Sequence, residues 1–394
     1  MKFDLGWLME KWKLGCTNFT FDLLIAASLL TRLDSSVYLF VLLPVVLFRL
    51  LSQREISAVE KGVQTACLCL APTLLVGGWL LWKLFYYGDI LPNTFYAKVG
   101  SLNTFSKGLF YCAEFLRAYW LIPLLFLGLA ALGTILKQSN RELKVLVLTV
   151  FVWCLYVARV GGDFMEFRFF VPVMPLIFVL VTWLLLRFVK PVGASVALAV
   201  MLVVGSWHHA KTYDNKGIES IRQLERHISD PGENWQAVGK VLDNLFGDES
   251  FQDGRSNVVI ATTAAGAIPY YARLETIDMG GLNDRWVARH GAIVGARAGH
   301  QRIATLDYLV RRGVNLAIGV PLVTPRRAKV EPLAWVKRAA EAFRREAVAA
   351  GLAEDCRMVE IPLDDDYKIT VLYLVANDHV DEIIRKHGLK TYRP

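Results

Sequence analysis

Two cations and two anions crowd one short stretch, Arg159-Val-Gly-Gly-Asp163-Phe-Met-Glu166-Phe-Arg168, set between apolar runs. At a membrane surface such groups are costly unless they pair or meet a polar ligand. One reading is mutual ion pairing that steadies the loop. The other is a phosphate clamp, in which Arg159 and Arg168 offer planar, bidentate donors and Asp163 orients the phosphate or a sugar hydroxyl. Gly161 and Gly162 let the backbone turn sharply there. Arg32 and Asp34 repeat the pairing near the start of the chain. A third stretch, Tyr86 to Lys98, joins Tyr86, Tyr87, Phe95 and Tyr96 to the polar groups of Asp89, Asn93 and Lys98. Such rings settle at a membrane-water interface, and Gly88, Pro92 and Asn93 break a helix into a turn. This is either an interfacial aromatic belt or a loop that holds a lipid-linked substrate through Tyr87, Asn93 and Tyr96.

Other signals point to less. Ala264-Ala265-Gly266-Ala267 follows a strand-like run but lacks a full dinucleotide fingerprint. Asp364-Asp365-Asp366 lacks calcium-loop spacing and reads as a solvated hairpin turn. His208-His209 reads as interfacial packing. The 6 cysteines show no zinc spacing, and Cys67 and Cys69 point to different faces of a helix. A disulfide between Cys112 and Cys356 does not follow from sequence. No metal site is expected, and no Ser-His-Asp arrangement stands out.

The elements that position these residues are apolar. Hydrophobic residues make up 54% of the 394, too many for an ordinary soluble enzyme, and they crowd the first half. Through Trp207 there are 18 Lys+Arg against 11 Asp+Glu, and afterwards 26 against 25, so nearly all of the +8 charge belongs to the apolar half. That placement argues for basic membrane loops rather than nucleic-acid binding. Residues 1–18 read as an amphipathic surface helix, without a cleavable signal peptide. Apolar runs at 21–31 and 37–51 meet at a polar elbow, and spans follow at about 63–85, 119–136, 144–160, 169–187 and 192–207. Loops bearing Arg49, Arg54 and Lys61, then Lys137 and Arg141, then Arg187 and Lys190 alternate correctly if all are cytoplasmic. Loops 32–36, 86–118 and 161–168, and everything after Trp207, then lie outside.

From 208 the pattern becomes α/β. Asn257–Thr262 and Val314–Val320 read as buried strands, Leu306–Arg312 and Glu331–Ala350 as helices, and Val359–Leu363 with Ile369–Val375 as strands joined through the aspartates. Ala264–Tyr271 reads as a close turn into a helix. The alternation predicts a small, partly parallel sheet.

Tyr-Gly-Asp-Ile-Leu-Pro-Asn-Thr-Phe-Tyr-Ala-Lys at 87–98, Gly-Gly-Asp-Phe at 161–164 with Arg168-Phe-Phe-Val-Pro, Ala-Gly-Ala-Ile-Pro-Tyr-Tyr at 265–271 and Ile-Asp-Met-Gly-Gly-Leu-Asn-Asp at 277–284 resemble bacterial GT-C membrane glycosyltransferases. The likeness is to the terminal arabinofuranosyltransferase type and its Gram-negative relatives, and it covers most of the chain. Thr31-Arg32-Leu33-Asp34 resembles their Arg-Pro-acidic elbow, with Leu33 in place of proline. The resemblance implies a GT-C-like α-helical polytopic membrane domain, residues 1–207, followed by a small soluble α/β domain, residues 208–394, outside the cytoplasm of a bacterial inner membrane. It implies a polyprenyl-phosphate sugar donor, an envelope glycan or lipid acceptor, and inversion at the sugar. Arg32, Lys98, Arg159 and Arg168 are then expected at the donor phosphate, and Asn283 and Asp284 at the acceptor. No cofactor is firmly implied, though a divalent cation has room in such a scheme.

In that family the catalytic acidic motif follows the first of further N-terminal spans. No adjacent acidic pair stands in a first outside loop here. The chain is therefore expected either to lack those spans or to use Asp34, Asp89 or Asp163 as base. Two other classes fit the residues: a non-catalytic scaffold whose outer domain binds envelope polymer or a partner enzyme, and a transporter. The transporter fits less well, because the charges sit in surface loops rather than at mid-membrane.

Overall fold

The computed structural model describes residues 22–98, 104–137, 141–188, 190–213, 217–247, 257–297, 300–320, 323–328 and 356–392. The helices expected at 1–18 and Glu331–Ala350 lie outside those residues. The chain divides into two compact units, Met1–Leu91 with Asn103–Gly162 and Phe167–Tyr213, and Pro92–Leu102 with Asp163–Glu166 and Asp214–Pro394.

The first unit is helical. Helix α1 (Asp22–Thr31) stops at Arg32, a 3₁₀ turn covers Leu33–Ser35, and α2 (Ser36–Ser52) resumes. The expected elbow is present. Helix α3 (Ala58–Tyr87) opens with a capping box between Ser57 and Glu60 and closes on Gly88 in the left-handed region, a conformation glycine adopts without penalty. Helix α4 (Asn93–Lys98) belongs to the second unit. Then come α5 (Thr104–Ala118), α6 (Ile122–Lys137), α7 (Arg141–Val160), α8 (Met174–Phe188) and α9 (Pro191–Thr212).

Among the described residues, four helices are long and apolar enough to cross a membrane: Leu33–Ser52, Ala58–Tyr87, Arg141–Val160 and Pro191–Lys211. Helices α5 and α6 meet the same test only as a pair, bent by 106°. Within the 86–118 stretch, residues Thr104–Ala118 fold as helix α5. Gly108, Tyr111 and Phe115 recur at helical spacing and bury one face of α5, while Lys107, Glu114 and Arg117 disguise that face in the sequence.

The second unit is α/β. Among the described residues, α10 (Ile221–Ser229) and α11 (Trp235–Phe246) precede a seven-stranded sheet of order β2-β1-β5-β8-β7-β9, with β6 also on β8. Strands β1 (Val259–Thr262), β2 (Glu275–Asp278) and β5 (Leu316–Gly319) run parallel. Strands β6 (Val323–Pro325), β7 (Arg357–Pro362), β8 (Tyr367–Tyr373) and β9 (Thr391–Tyr392) add antiparallel pairing. The sheet is thus mixed, and the Asp364 carboxylate accepts from the Asp366 and Tyr367 amides at the β7–β8 turn. Strands β3 (Ala292–Arg297) and β4 (His300–Ile303) form a separate hairpin.

Both faces of the main sheet are covered. Ile260, Leu316 and Val371 join one apolar cluster, and their neighbours Ala261, Ala317 and Leu372 join the other, as the period of two requires. Helix α12 (Ala267–Ala272), after β1, packs on the first face through Ile268. Helices α13 (Arg285–His290) and α14 (Leu306–Arg311) pack on the second through Val287 and Leu309. Helix α15 (Asp378–His387) returns to the first through Val380. The connections leaving β1 and β2 therefore diverge to opposite faces, the arrangement that opens ligand crevices at strand C-termini in α/β folds.

Candidate functional site

In the helical unit, Arg32 and Asp34 form a bidentate pair, with Nε donating to Oδ1 at 2.9 Å and Nη2 to Oδ2 at 2.5 Å. The pairing raises the guanidinium's affinity for its proton, chiefly through the hydrogen bond to Asp34. Tyr38, one turn along α2, stacks on Trp153 of α7 at 4.7 Å. The Trp153 indole, itself fully buried, donates to the Phe169 carbonyl at 2.7 Å. Ring stacking and a hydrogen bond thus join Tyr38, four residues past Asp34, to Phe169, the residue beside Arg168. The Arg168 guanidinium lies 5.9 Å from the Phe169 ring centre, and Arg159 is exposed at the end of α7.

The paired glycines have a steric role. Gly161 and Gly162 both take positive φ, and a β-carbon on Gly162 would come within 2.5 Å of the Tyr111 side chain. Tyr111 and Phe115 in turn stack on Phe170. Next to this aromatic anchor, helices α5, α6, α7 and α8 line a half-open cavity of about 680 Å³. Phe115, Leu125, Leu148, Phe151, Phe170 and Leu180 are on its wall, and Lys144 is the only charged residue among the described ones that line it.

The stretch expected to bind substrate is split. Tyr87 ends α3, and Tyr86 stacks on Trp82 at 5.3 Å. Asp89 is half-buried beyond Gly88. Asn93, Tyr96 and Lys98 lie on α4, which packs on α13 and β4 within the α/β unit. Asp163 and Glu166 also belong to that unit, whereas Arg159 and Arg168 belong to the helical one. Asp163 is 3% exposed, and its Oδ1 accepts from the Phe164 amide at 2.9 Å. Glu166 and Phe164 bracket Glu219 through backbone bonds, and the Glu166 carboxylate accepts from the Ile221 amide at 3.0 Å at the start of α10. Both acids thus also organise backbone.

The α/β unit contains a site that sequence reasoning only grazed. Asp278, at the end of β2, accepts from the Gly280 and Asn283 amides, each at 2.8 Å. Burial pushes its carboxyl above the ordinary value, against the pull of those bonds. Asp284 caps α13 by accepting from the Val287 amide at 2.9 Å, and its second oxygen accepts from the Tyr308 hydroxyl at 2.8 Å. Arg312 donates to Tyr308 at 2.8 Å and closes on Asp284 at 3.5 Å. Both oxygens of Asp284 are therefore engaged inside the fold, while its expected companion Asn283 is exposed. These groups line a cavity of about 570 Å³ together with Arg285, Trp286, Arg289 and His290. Trp286 stacks on Tyr308 at 4.1 Å, and Arg289 sits 4.3 Å over the Tyr96 ring. The arginines of α13, which begins directly after the Gly-Gly-Leu-Asn-Asp turn, were the available signal.

A family profile described as a domain of unknown function (DUF8728) matches residues 226–369, a stretch that includes every residue on the wall of this second cavity. No curated protein and no solved structure matches the chain.

Proposed function

We propose that the chain is a membrane glycosyltransferase that moves a sugar from a polyprenyl-phosphate donor to an envelope glycan or lipid on the non-cytoplasmic face. The observation that carries this reading is the cavity among α5, α6, α7 and α8. Its volume, about 680 Å³, falls within the range of small-molecule sites, and its apolar wall suits a prenyl chain. Phe170 on that wall stands two residues from Arg168, the cation assigned to the carrier phosphate. The four long apolar helices support the membrane setting, since only 6% of the Ala58–Tyr87 window and none of the Pro191–Lys211 window is buried within the protein. Surfaces of that kind are stable in hydrocarbon.

In this mechanism a carboxylate takes the proton of the acceptor hydroxyl as the acceptor oxygen attacks the anomeric carbon and the carrier phosphate leaves with inversion. Arg159 or Arg168, both of the helical unit, balances the charge that grows on the phosphate. Asp163 is deeply buried, whereas Asp89 is half-exposed just beyond Gly88 at the end of α3, so by exposure Asp89 is preferred to Asp163 as base. The bidentate Arg32–Asp34 pair and the burial of Asp163 favour the second reading, a non-catalytic scaffold, because an ion-paired or enclosed carboxylate is poorly placed to take a proton.

The test is a transfer assay with the purified chain in nanodiscs, polyprenyl-phosphate sugars labelled in the sugar, and envelope glycan as acceptor. Label should pass from the lipid phase to the glycan, and Asp89→Asn should abolish the passage. A folded chain that binds glycan and transfers no sugar from any carrier would establish the scaffold instead.

A further inference from the structure

We infer that an anionic phospholipid docks where the basic ends of α2 and α7 meet, with its phosphate among Arg49, Arg141 and Lys144 and an acyl chain along Val45, Phe48 and Val145. These six residues line an open groove of about 350 Å³ between two helices that pack on each other. No acid is on the groove wall among the described residues. Lys144 makes no hydrogen bond or ion pair among those residues. Arg49 is paired, its Nη2 donating to Glu142 Oε1 at 2.5 Å, and Arg141 stands in the field of the same carboxylate. One adjoining acid thus faces three cations, which leaves an excess of two positive charges. The Arg49–Glu142 pair is itself exposed, with side chains 53% and 71% accessible, and exposed pairs are weak. Cations at the start of a helix oppose its dipole, so Arg141 and Lys144 gain nothing from α7 itself.

The apolar part of the groove separates a lipid from a simple anion. Phe48 is 64% exposed beside Arg49, and Val45 lies one turn before it on α2. A soluble phosphate would leave that surface unused, whereas a phospholipid brings charge and hydrocarbon together. Basic pockets between membrane helices suit anionic headgroups for this reason. The groove is also distinct from the place assigned to the carrier phosphate. At a rise of 1.5 Å per residue, Lys144 and Arg159 stand roughly 22 Å apart along α7.

The inference rests on the membrane setting proposed above and not on sugar transfer, so the two fail separately. A chain that prefers anionic lipid yet transfers no sugar would overturn the transferase and leave the groove standing. A chain that transfers sugar without any lipid preference would do the reverse.

The experiment titrates the full chain in detergent with dioleoyl phosphatidylglycerol or dioleoyl phosphatidylcholine and reads bound lipid by native mass spectrometry. The anionic lipid should bind about tenfold or more tightly than the zwitterionic one. Lys144→Gln and Arg141→Gln should each weaken phosphatidylglycerol binding by roughly fivefold to tenfold and leave phosphatidylcholine unchanged. Lys190→Gln, which removes another cation at the start of α9, should change neither value. Glycerol 1-phosphate, the same phosphate chemistry without acyl chains, should not displace the lipid at equal concentration. Arg141 is exposed, so its variant keeps the test open if Lys144→Gln fails to fold. Four results each overturn the proposal: equal affinity for the two lipids, displacement by glycerol 1-phosphate, a loss in Lys190→Gln as large as that in Arg141→Gln, or wild-type affinity in Arg141→Gln and in any folded Lys144→Gln chain.

Discussion

The guanidinium of Arg289 lies 4.3 Å above the ring of Tyr96. That contact joins the Asn-Thr-Phe-Tyr-Ala-Lys helix to α13 inside the α/β unit. A cation over an aromatic face is worth about 0.5–1 kcal/mol when exposed and about 2 when desolvated. A double-mutant cycle of Tyr96→Leu and Arg289→Gln, followed by thermal melting in detergent, should therefore give a coupling of about 1 kcal/mol. Strict additivity would mean that the two side chains are neighbours without consequence.

Glycines in the helical unit divide into two classes. A β-carbon at Gly108 would fall 2.2 Å from the Ala158 carbonyl oxygen, whereas at Gly77 and Gly128 it would meet nothing within 4 Å. Gly108→Ala should thus force α5 and α7 apart, with an overpacking cost of about 1–3 kcal/mol. Gly77→Ala and Gly128→Ala should melt at or slightly above the wild-type temperature, since alanine favours helix by about 1 kcal/mol. Melting curves for the three variants decide it, and equal behaviour would refute the close α5–α7 approach.

Asp278 gives a pH dependence with a definite sign. Burial raises its carboxyl above the ordinary 3.8, so the fold favours the protonated form. Its contribution to stability is then fully present below the ordinary value and is lost as pH rises through the raised one. Asp278→Asn keeps an acceptor for the Gly280 and Asn283 amides without the charge. The variant should melt above wild type at neutral pH, and the gap should close on acidification. A variant that melts lower by the same margin at every pH would show that the amide bonds outweigh burial.

Much of the framework was legible because it depends on local pattern. Gly88 and Pro92 marked the break after α3, Arg32 to Ser36 marked the elbow, and the strand-like runs Asn257–Thr262 and Val314–Val320 supplied β1 and β5. What could not be read was partnership. The stretch from Tyr86 to Lys98 looks continuous, yet the division of the chain falls between Leu91 and Pro92. Likewise Gly161-Gly162 and Asp163 fall in different units, although a charge pattern alone makes them one clamp. Helix α5 was hidden because Lys107, Glu114 and Arg117 interrupt its apolar stripe. The α13 cavity escaped notice because its arginines converge only after α13, α14 and β2 are brought together by the sheet.

The central claim is that a polyprenyl phosphate lies with its chain in the α5–α8 cavity and its phosphate at Arg168. The most direct measurement is polyprenyl-phosphate affinity in nanodiscs, read beside melting temperature, for wild type, Arg168→Gln, Arg168→Lys and Gly128→Phe. Gly128 is on the cavity wall, with open space where a side chain would grow. Arg168→Gln and Gly128→Phe should each weaken binding by roughly tenfold to a hundredfold while melting stays near wild type. Arg168→Lys, which keeps the charge and loses the fork, should recover part of the loss. Wild-type affinity in both Arg168→Gln and Gly128→Phe would contradict the account, and a lowered melting temperature in Arg168→Gln with affinity intact would reduce that arginine to a structural ion-pair partner.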